Sequence, residues 1–528
     1  MSERRFGLRG VRRSWGGLVG VMAMVAVGCG EETPSVARGG AAADPPLRAV
    51  AVPGGIGHFE DAEGREVLLR GVNVNTYAEY WQFDPALPAT LAFTEADMDY
   101  LAGLGYDVVR LLITWSRVEP SPGEYDAAYL ATVAEVIDGL WARGIYTLVD
   151  MHQDAWGPSL AARPGEACTG SQRPAPGWDG APAWATLVAE ATPRCTPLVA
   201  GRHVRELSPA VVEAWASFFA NAAGPGGVGL HERFAAMWGE VARVLGGRPG
   251  TMGYDVLNEP NAFALEQFPP LAEIYGKALA AIRAGEASAG TEPRVFLFEP
   301  SGNWANVLYG STVERFTEDP QVAYAPHVYQ GTIGLMPLDE RQLERLREEV
   351  VGFGGVPVLV SEWGAGPESA GTANDPFALM VAAQDANHWS MAHWVYQAAC
   401  GDPHNYGNFF DGTLDQVSSW AYRRVSCATP TTAGEPYAAM IAVLARPAVH
   451  AAPGRIDAIA WDPATGSLTA SGATARSGQE AILYLPAAHA DLTVTWTGAT
   501  EARREAHYGG QRIVARADGG AWSVATAR

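Results

Sequence analysis

The sequence predicts an α/β fold, a (β/α)8 TIM barrel followed by a C-terminal antiparallel β-sandwich domain. Eight short apolar runs between about residues 54 and 435 can each form a buried strand, and amphipathic helical segments separate many of them. After about residue 436 the pattern changes to short alternating strands separated by turns, which is typical of a sandwich. A doubly wound open sheet is the alternative, but no Gly-x-Gly-x-x-Gly motif follows an early strand, as dinucleotide binding in that fold requires.

Local signals place the individual elements. Thr94 can cap a helix in which Met98, Leu101 and Leu104 lie at helical spacing, and Gly105 ends it. Further helices are expected over residues 129–140, 233–245, 271–283 and 338–351. The eight barrel strands are expected over residues 67–74, 107–114, 145–151, 253–257, 294–299, 322–326, 356–361 and 392–396. In the region 436–528, strands are expected over residues 456–461, 467–471, 481–485, 492–496 and 511–515.

The first 29 residues have the pattern of a secretory signal peptide. Five arginines among residues 4–13 precede an apolar stretch over residues 18–27, which is too short to remain as a membrane-spanning helix. Ala26-Val27-Gly28-Cys29 resembles a bacterial lipoprotein cleavage site, at which Cys29 would become the lipidated first residue. We therefore expect an exported protein, either an outer or cell-surface lipoprotein or a secreted protein. Residues 30–53, rich in Gly, Ala and Pro, are predicted to form a flexible tether.

Composition and charge restrict the classes of partner. The chain of 528 residues carries a formal net charge of −21, which opposes binding to the phosphate backbone of nucleic acid. It contains 17 Trp, and flat rings of this kind can stack against the faces of sugars. These features disfavour nucleic acid as a partner and are compatible with a carbohydrate ligand. No cofactor is expected.

Four cysteines remain after Cys29, and an even number in an exported chain favours disulfides. Three pairings are possible. We favour Cys168 with Cys195 and Cys400 with Cys427, because each pair brackets one segment rich in Pro, Gly or polar residues. A zinc site is the rival interpretation, but no Cys-x-x-Cys motif and no His at ligand spacing supports it, so no metal is predicted.

A long insertion, residues 155–229, separates the third and fourth predicted strands. It contains one of the expected disulfides and several aromatic residues, among them Trp156, Trp178 and Trp215. Loops on the catalytic face of a barrel usually shape specificity, but these rings can equally form a small satellite core.

Polar residues stand at the carboxyl ends of most predicted strands. In a barrel these ends meet at one rim, where active sites are built. The residues are Arg110 on the second strand, His152 and Asp154 after the third, Asn258 and Glu259 after the fourth, His327 and Tyr329 after the sixth, Glu362 after the seventh and Trp394 on the eighth. Each alone has a plain structural explanation, whereas together they predict one site.

Two glutamates at one rim can divide the cleavage of a glycosidic bond between them. Glu362 would be the nucleophile, kept ionised by Arg110 and by a hydrogen bond from Tyr329. Glu259 would hold a proton and act first as general acid and then as general base. Asn258, His152 and His327 could bind sugar hydroxyls, and Trp394 could stack under the ring. A separation of about 5 Å between the two carboxyl groups would indicate retention of configuration, and about 9 Å inversion.

Several motifs resemble those of a known family. They are residues 70–74 (RGVNV), 109–113 (VRLLI) with Trp115 and 118–120 (VEP), 150–154 (DMHQD), 258–260 (NEP), 327–329 (HVY) and 361–364 (SEWG). With these motifs the chain resembles the retaining β-glycosidases of glycoside hydrolase family 5, and within it the endoglycoceramidases, which release an intact oligosaccharide from ceramide. The resemblance covers nearly everything after the tether and implies a C-terminal sandwich, glycolipid cleavage, and Asp154 and Asn258 as sugar contacts. The expected partners are therefore a glycolipid or oligosaccharide substrate and a membrane surface, reached through the lipid anchor or through the substrate.

One departure from the family pattern concerns the glycan. Some members have a sugar-binding Lys after the first strand, whereas residues 75–81 (NTYAEYW) contain none. Three hypotheses therefore stay open: a hydrolase of glycolipids, an endo-β-glucanase-type polysaccharide hydrolase, and a non-catalytic carbohydrate-binding surface protein. The last is disfavoured because both acids and their supporting groups are present.

Overall fold

The architecture is a closed barrel of parallel strands followed by two antiparallel sheets. The computed structural model describes residues 46–199, 202–261, 269–302, 304, 313–329, 340–372, 375–405 and 420–528. The predicted signal peptide and Cys29 lie outside these residues. The barrel strands are β1 (Arg70–Val74), β2 (Val108–Ile113), β3 (Tyr146–Met151), β4 (Thr251–Asp255), β5 (Val295–Phe298), β6 in two segments (Val322–Tyr324 and His327–Tyr329), β7 (Leu359–Gly364) and β8 (Ser390–His393).

Strand pairing closes the ring. Each of β1 to β5 pairs in parallel with the next, and β8 pairs with both β7 and β1. The two segments of β6 complete the circle, because Val322–Tyr324 pairs with β5 while His327–Tyr329 pairs with β7. The predicted TIM barrel is thus confirmed. Every residue of β2 and β3 is buried, as expected for parallel strands that are covered on both faces.

Helices alternate with the strands and cover the barrel. Thr94 caps the first helix through a capping box with Asp97, as the Thr94 signal predicted. The helices are α1 (Glu95–Gly103), α2 (Ala127–Trp141), α3 (Pro209–Phe219), α4 (Leu230–Leu245), α5 (Leu271–Ser288), α6 (Glu340–Gly352), α7 (Pro376–Asn387) and α8 (Ala438–Leu444), with a single turn at Trp115–Val118. None of the helices in the described ranges is long and apolar enough to cross a bilayer.

The amino-terminal end of the barrel is closed by a small antiparallel sheet. It consists of Arg48–Val50, His58–Glu60 and Glu66–Val67. Its apolar side chains, such as Phe59, pack against residues at the starts of the barrel strands. Two predictions are corrected here: residues 48–50 form a strand and are not part of a tether, and the predicted first strand, 67–74, is divided between this sheet and β1.

The insertion before β4 contains little regular structure. Besides α3 it has the short strands Arg173–Pro174, Cys195–Thr196, Leu198–Val199 and Arg202–His203, and 3₁₀ turns at Pro158–Leu160, Ala183–Ala185, Arg205–Leu207 and Pro225–Gly227. Both predicted disulfides are present, Cys168–Cys195 within the insertion and Cys400–Cys427 after β8.

The C-terminal strands form two four-stranded antiparallel sheets, which confirms the sandwich. The strands are β9 (Ala448–Ala451), β10 (Ala458–Asp462), β11 (Ser467–Ala475), β12 (Glu480–Leu485), β13 (Thr493–Thr497), β14 (Ala499–His507), β15 (Gly510–Ala517) and β16 (Gly520–Ala527). Their orders are β9–β12–β15–β14 and β10–β11–β16–β13. The sequence missed β9, β14 and β16. The predicted boundary near residue 436 also shifts, because α8 packs on α7 of the barrel and the strands begin only at β9.

Candidate active site

The two glutamates lie together at the carboxyl rim of the barrel. Glu362 is within β7, opposite His327 of β6 in the strand register, and Glu259 follows β4. One carboxylate oxygen of Glu259 lies within 4.8 Å of one of Glu362. The Glu362 side chain is 6% exposed and that of Glu259 is 22% exposed, so the two carboxyl groups differ in their access to solvent. The distance of at most 4.8 Å between the carboxylate oxygens matches the short spacing of retaining glycosidases and not the wider spacing of inverting ones.

Glu362 is surrounded by donors that favour its ionised form. Arg110 Nη1 lies 2.6 Å from Oε1, Tyr329 donates its hydroxyl to Oε2 at 2.6 Å, and His327 Nδ1 lies 3.5 Å from Oε2. Burial opposes ionisation, yet the charges of His327 and Arg110 and the tyrosine hydrogen bond outweigh it, and the pKa of Glu362 is lowered. An ionised carboxylate held in one orientation is suited to attack an electrophilic carbon.

Glu259 is held by the backbone as well as by its side chain. Its φ of 37° lies in the left-handed region, which is uncommon for residues other than glycine. Gln153 Nε2 donates to the carbonyl oxygens of Asn258 at 2.7 Å and of Glu259 at 3.0 Å. The carboxylate oxygen Oε1 lies 2.8 Å from His327 Nδ1. The partly exposed carboxyl group of Glu259 therefore faces the rim, while Gln153 holds the adjoining backbone.

Arg110 organises the interior of the barrel beneath the two glutamates. Its guanidinium is fully buried. It lies within 3.0 Å of oxygens from Asn73, Asp150, Asp255, Asn258, Glu299 and Glu362. Asp255 and Glu299 were missed by the sequence analysis, and Asp150 was noted only as part of the motif 150–154 and was given no role. The available signal was a lone carboxylate inside or just after an apolar strand run, at a position whose side chain can point into the barrel.

His152 and Asp154 form a second polar group beside the glutamates. His152 Nδ1 lies 2.7 Å from Asp150 Oδ2, and its ring stacks on Trp394 with centroids 5.3 Å apart and an interplanar angle of 12°. Trp394, expected as a platform for sugar, therefore has one neighbour stacked on it within the protein. The Asn258 amide donates to the Gln153 carbonyl at 2.8 Å and accepts from Arg110, which leaves its second N–H for another partner.

Asp154, which follows β3, is contacted by residues from the insertion and from the loop after β8. Most of these partners were not predicted. Trp178 Nε1 donates to Oδ2 at 2.7 Å, His404 Nε2 lies 3.3 Å from the same oxygen, and Arg205 Nη2 lies 3.3 Å from Oδ1. The Arg205 guanidinium also covers the Trp178 ring at 3.7 Å. Burial favours the neutral form of Asp154. Arg205 and the imidazoles of His152 and His404 outweigh this effect and lower the pKa of Asp154 well below its usual range. The long insertion thus reaches the site through Trp178 and Arg205.

Most other rings of the insertion form a satellite core. Trp156, Trp215 and Phe218 are buried and contact one another edge-on or tilted, with centroids 5.1–5.8 Å apart. A cavity between them and His152 has a volume of only about 20 Å³, room for roughly one water molecule. In the described part of the chain these three rings therefore do not line an open apolar groove, and the satellite-core interpretation of them is correct.

Groups with metal-ligand chemistry are present, but the protein supplies cations to each of them. Asp150, Asp255 and Glu299 surround Arg110, Glu259 and Glu362 flank His327, and Asp154 faces Arg205 and His404. The absence of a metal requirement stays a prediction.

Comparison with known proteins places the chain in a family. Residues 60–399 match the model described as Cellulase (glycosyl hydrolase family 5). Endoglycoceramidase I of Rhodococcus hoagii (strain 103S) is 27% identical over 409 residues, 72% of either chain. The structure of an endogalactoceramidase aligns with a TM-score of 0.79 and 31% identity, covering 91% of this chain and 100% of that one. Endoglycoceramidase II from Rhodococcus sp. (TM-score 0.66, 23% identity, 89% and 98% coverage) shares the fold. Since the family model spans more than half of the chain, the protein belongs to glycosyl hydrolase family 5 and is a glycosyl hydrolase.

Proposed function

We propose that this enzyme is a retaining β-glycosidase that cleaves the bond between a sugar or oligosaccharide and a lipid aglycone such as ceramide. The observation that carries the proposal is the separation of at most 4.8 Å between carboxylate oxygens whose surroundings differ: Glu362 is buried among donors, whereas Glu259 is partly open to the rim. Relatives named as an endoglycoceramidase and an endogalactoceramidase support a ceramide-type aglycone.

The reaction has two steps in which the glutamates exchange roles. In the first, Glu362 attacks the anomeric carbon, the bond from that carbon to the aglycone oxygen breaks, and Glu259 gives that oxygen its proton. The products are the free aglycone alcohol and a glycosyl ester of Glu362. In the second, Glu259 takes a proton from water, the water oxygen attacks the anomeric carbon, and the Glu362 carboxylate departs. Two inversions leave the configuration unchanged.

The surrounding residues have supporting parts in this proposal. Arg110 and Tyr329 keep Glu362 ionised and oriented. Asn258, through its remaining N–H, and Asp154 and His152 at the neighbouring strand end would bind sugar hydroxyls. Trp394, which His152 and His404 contact within the protein, would support the sugar ring.

Mass spectrometry of products from a mixed glycosphingolipid extract tests the substrate class. We expect free ceramide together with an intact glycan from the wild-type enzyme, and rates lower by about 10³-fold or more for Glu259→Gln and Glu362→Gln. Release of monosaccharides, or cleavage of soluble β-glucan without reaction on lipid, would instead support the polysaccharide hydrolase hypothesis. The configuration of the sugar product, followed by NMR before mutarotation, should be β at first; α product would contradict retention.

We also propose that the enzyme is exported and carries lipid on Cys29. The support is the sequence of residues 1–29 alone. Metabolic labelling with a fatty acid, compared between the wild type and Cys29→Ser in a bacterial host, tests it. Export without label would leave a secreted protein, and retention in the cytoplasm would contradict both forms of the prediction.

A further inference from the structure

Glu299 is a buried carboxylate at the site to which the two-step mechanism assigns no part. It immediately follows β5 and is 1% exposed. Its Oε2 accepts a hydrogen bond from the backbone N–H of Glu259 at 2.8 Å. Its Oε1 lies 3.0 Å from Arg110 Nη2 and 3.3 Å from His327 Nε2, the latter at ion-pair distance without hydrogen-bond alignment. The one side chain therefore contacts the proposed acid, the central cation and the imidazole between them.

The contact with the Glu259 amide matters because of the conformation of that residue. At φ 37° a glutamate is in a region that L-residues avoid unless the surroundings impose it. Glu299 binds the N–H of the residue while Gln153 binds its carbonyl oxygen at 3.0 Å. Side chains from two different strand ends thus hold opposite sides of Glu259, and the direction in which its carboxyl group points depends on both.

His327 provides a second connection between the same two residues. Its Nδ1 lies 2.8 Å from Glu259 Oε1, while its Nε2 faces Glu299. The charged groups around Glu299 are Arg110, Asp255 and His327, and the Tyr275 hydroxyl donates to its backbone oxygen at 2.9 Å. Burial raises the pKa of Glu299 to about 8, against the opposing effect of His327. The protonation of Glu299 is therefore coupled to that of the imidazole that contacts the acid.

We propose that Glu299 is a positioning residue for general acid catalysis, which orients Glu259 through its backbone amide and through His327. The inference rests on the proposed role of Glu259 as the acid. It predicts that loss of the Glu299 carboxylate weakens proton donation to the aglycone while attack by Glu362 on a substrate that needs no proton is preserved.

The test compares two aryl β-glycosides that carry the glycan released by the wild-type enzyme. A phenyl glycoside needs protonation of its leaving group, whereas a 2,4-dinitrophenyl glycoside does not. For Glu299→Gln we expect kcat/KM to fall by about 10- to 100-fold on the phenyl substrate and by less than about 3-fold on the dinitrophenyl substrate. Glu299→Asp, which keeps a carboxyl group but shortens the side chain, should give the same leaving-group dependence if the Gln variant does not fold.

A matched control is Glu286→Gln in α5. Glu286 is also 1% exposed, and it accepts hydrogen bonds from Arg283 at 2.8 Å and from the Arg294 backbone at 2.9 Å, outside the site. It should lose stability without any dependence on the leaving group. Equal losses on both substrates for the Glu299 variants, or no loss on either, would overturn the inference.

The variant Glu259→Gln distinguishes a failure of the positioning role of Glu299 from a failure of the proposed function. If Glu259→Gln shows a strong leaving-group dependence and the Glu299 variants show none, the acid stands and the positioning role falls. If Glu259→Gln shows none, Glu259 is not the acid, and the positioning role falls with it.

Discussion

Replacing Tyr329 by Phe removes the hydroxyl group that donates a hydrogen bond to the nucleophile Glu362 and keeps the aromatic ring. That hydroxyl donates to Glu362 Oε2 at 2.6 Å, and His327 Nδ1 lies 3.5 Å from the same oxygen. A hydrogen bond to a charged group contributes about 1.5–3 kcal/mol, which corresponds to roughly 10- to 150-fold in kcat/KM if the interaction is present in the transition state.

The same substitution should change the pH dependence in a defined direction. The hydrogen bond favours the ionised carboxylate, so its loss raises the pKa of Glu362, by about one unit for each 1.4 kcal/mol. Because the nucleophile must be ionised, the acidic limb of kcat/KM should move to higher pH. The measurement is kcat/KM on an aryl glycoside between about pH 3 and 8.

Tyr324 provides a matched control on the same barrel strand. Its hydroxyl donates to Glu349 Oε2 of α6, also at 2.6 Å, on the outer side of β6. Tyr324→Phe should lower the melting temperature about as much as Tyr329→Phe does, because each loses one hydrogen bond of the same length. It should leave the pH profile of kcat/KM unchanged. If Tyr329→Phe keeps the wild-type acidic limb, or if both variants shift it equally, the assignment of the tyrosine hydrogen bond to the nucleophile is wrong.

Stability measurements test three other features of the fold. Replacing Cys400 and Cys427 together by Ser opens a loop of 27 residues and should lower the free energy of unfolding by about 4 kcal/mol in urea titrations; an unchanged midpoint would contradict this. Gly71→Ala places a methyl group 1.7 Å from a carbonyl oxygen of β2 and should prevent folding, whereas Gly276→Ala, with no heavy atom within 4 Å, should raise Tm slightly; equal Tm values would refute the packing argument. Burial raises the pKa of Asp179 to about 7, so the native state binds the extra proton between about pH 4 and 7, and this group makes stability fall as pH rises through that window. Asp179→Asn should remove that slope, and parallel curves of Tm against pH for the two proteins would disprove it.

Local patterns were sufficient for the barrel but not for its irregular parts. The buried strands β2 and β3 are continuous apolar runs, and the capping box at Thr94 is a short-range signal, so all three could be found from sequence. By contrast, β14 carries mostly exposed polar residues and lacks an apolar alternation to reveal it. Its strand conformation comes from pairing with β15.

The site shows the same division. Glu259 and Glu362 were recognisable because each stands in a motif at the end of an apolar run. Their partners Asp255 and Glu299 had no such motif. Arg205 and His404 were missed because both lie in irregular segments whose approach to Asp154 depends on how the insertion and the loop after β8 fold back.

The order of strands and the two glutamates at their ends were thus determined by the sequence alone, since periodicity and turn residues are local properties of the chain. The sequence favoured one pairing of the cysteines, and the structure decided it. Only the tertiary structure decided which charges meet. Arg110 reaches carboxylates 145 and 252 positions further along the chain. Those contacts exist because closing the barrel turns side chains from separate strands toward one dry interior. There an unpaired charge would be costly, so the acids gather around the guanidinium.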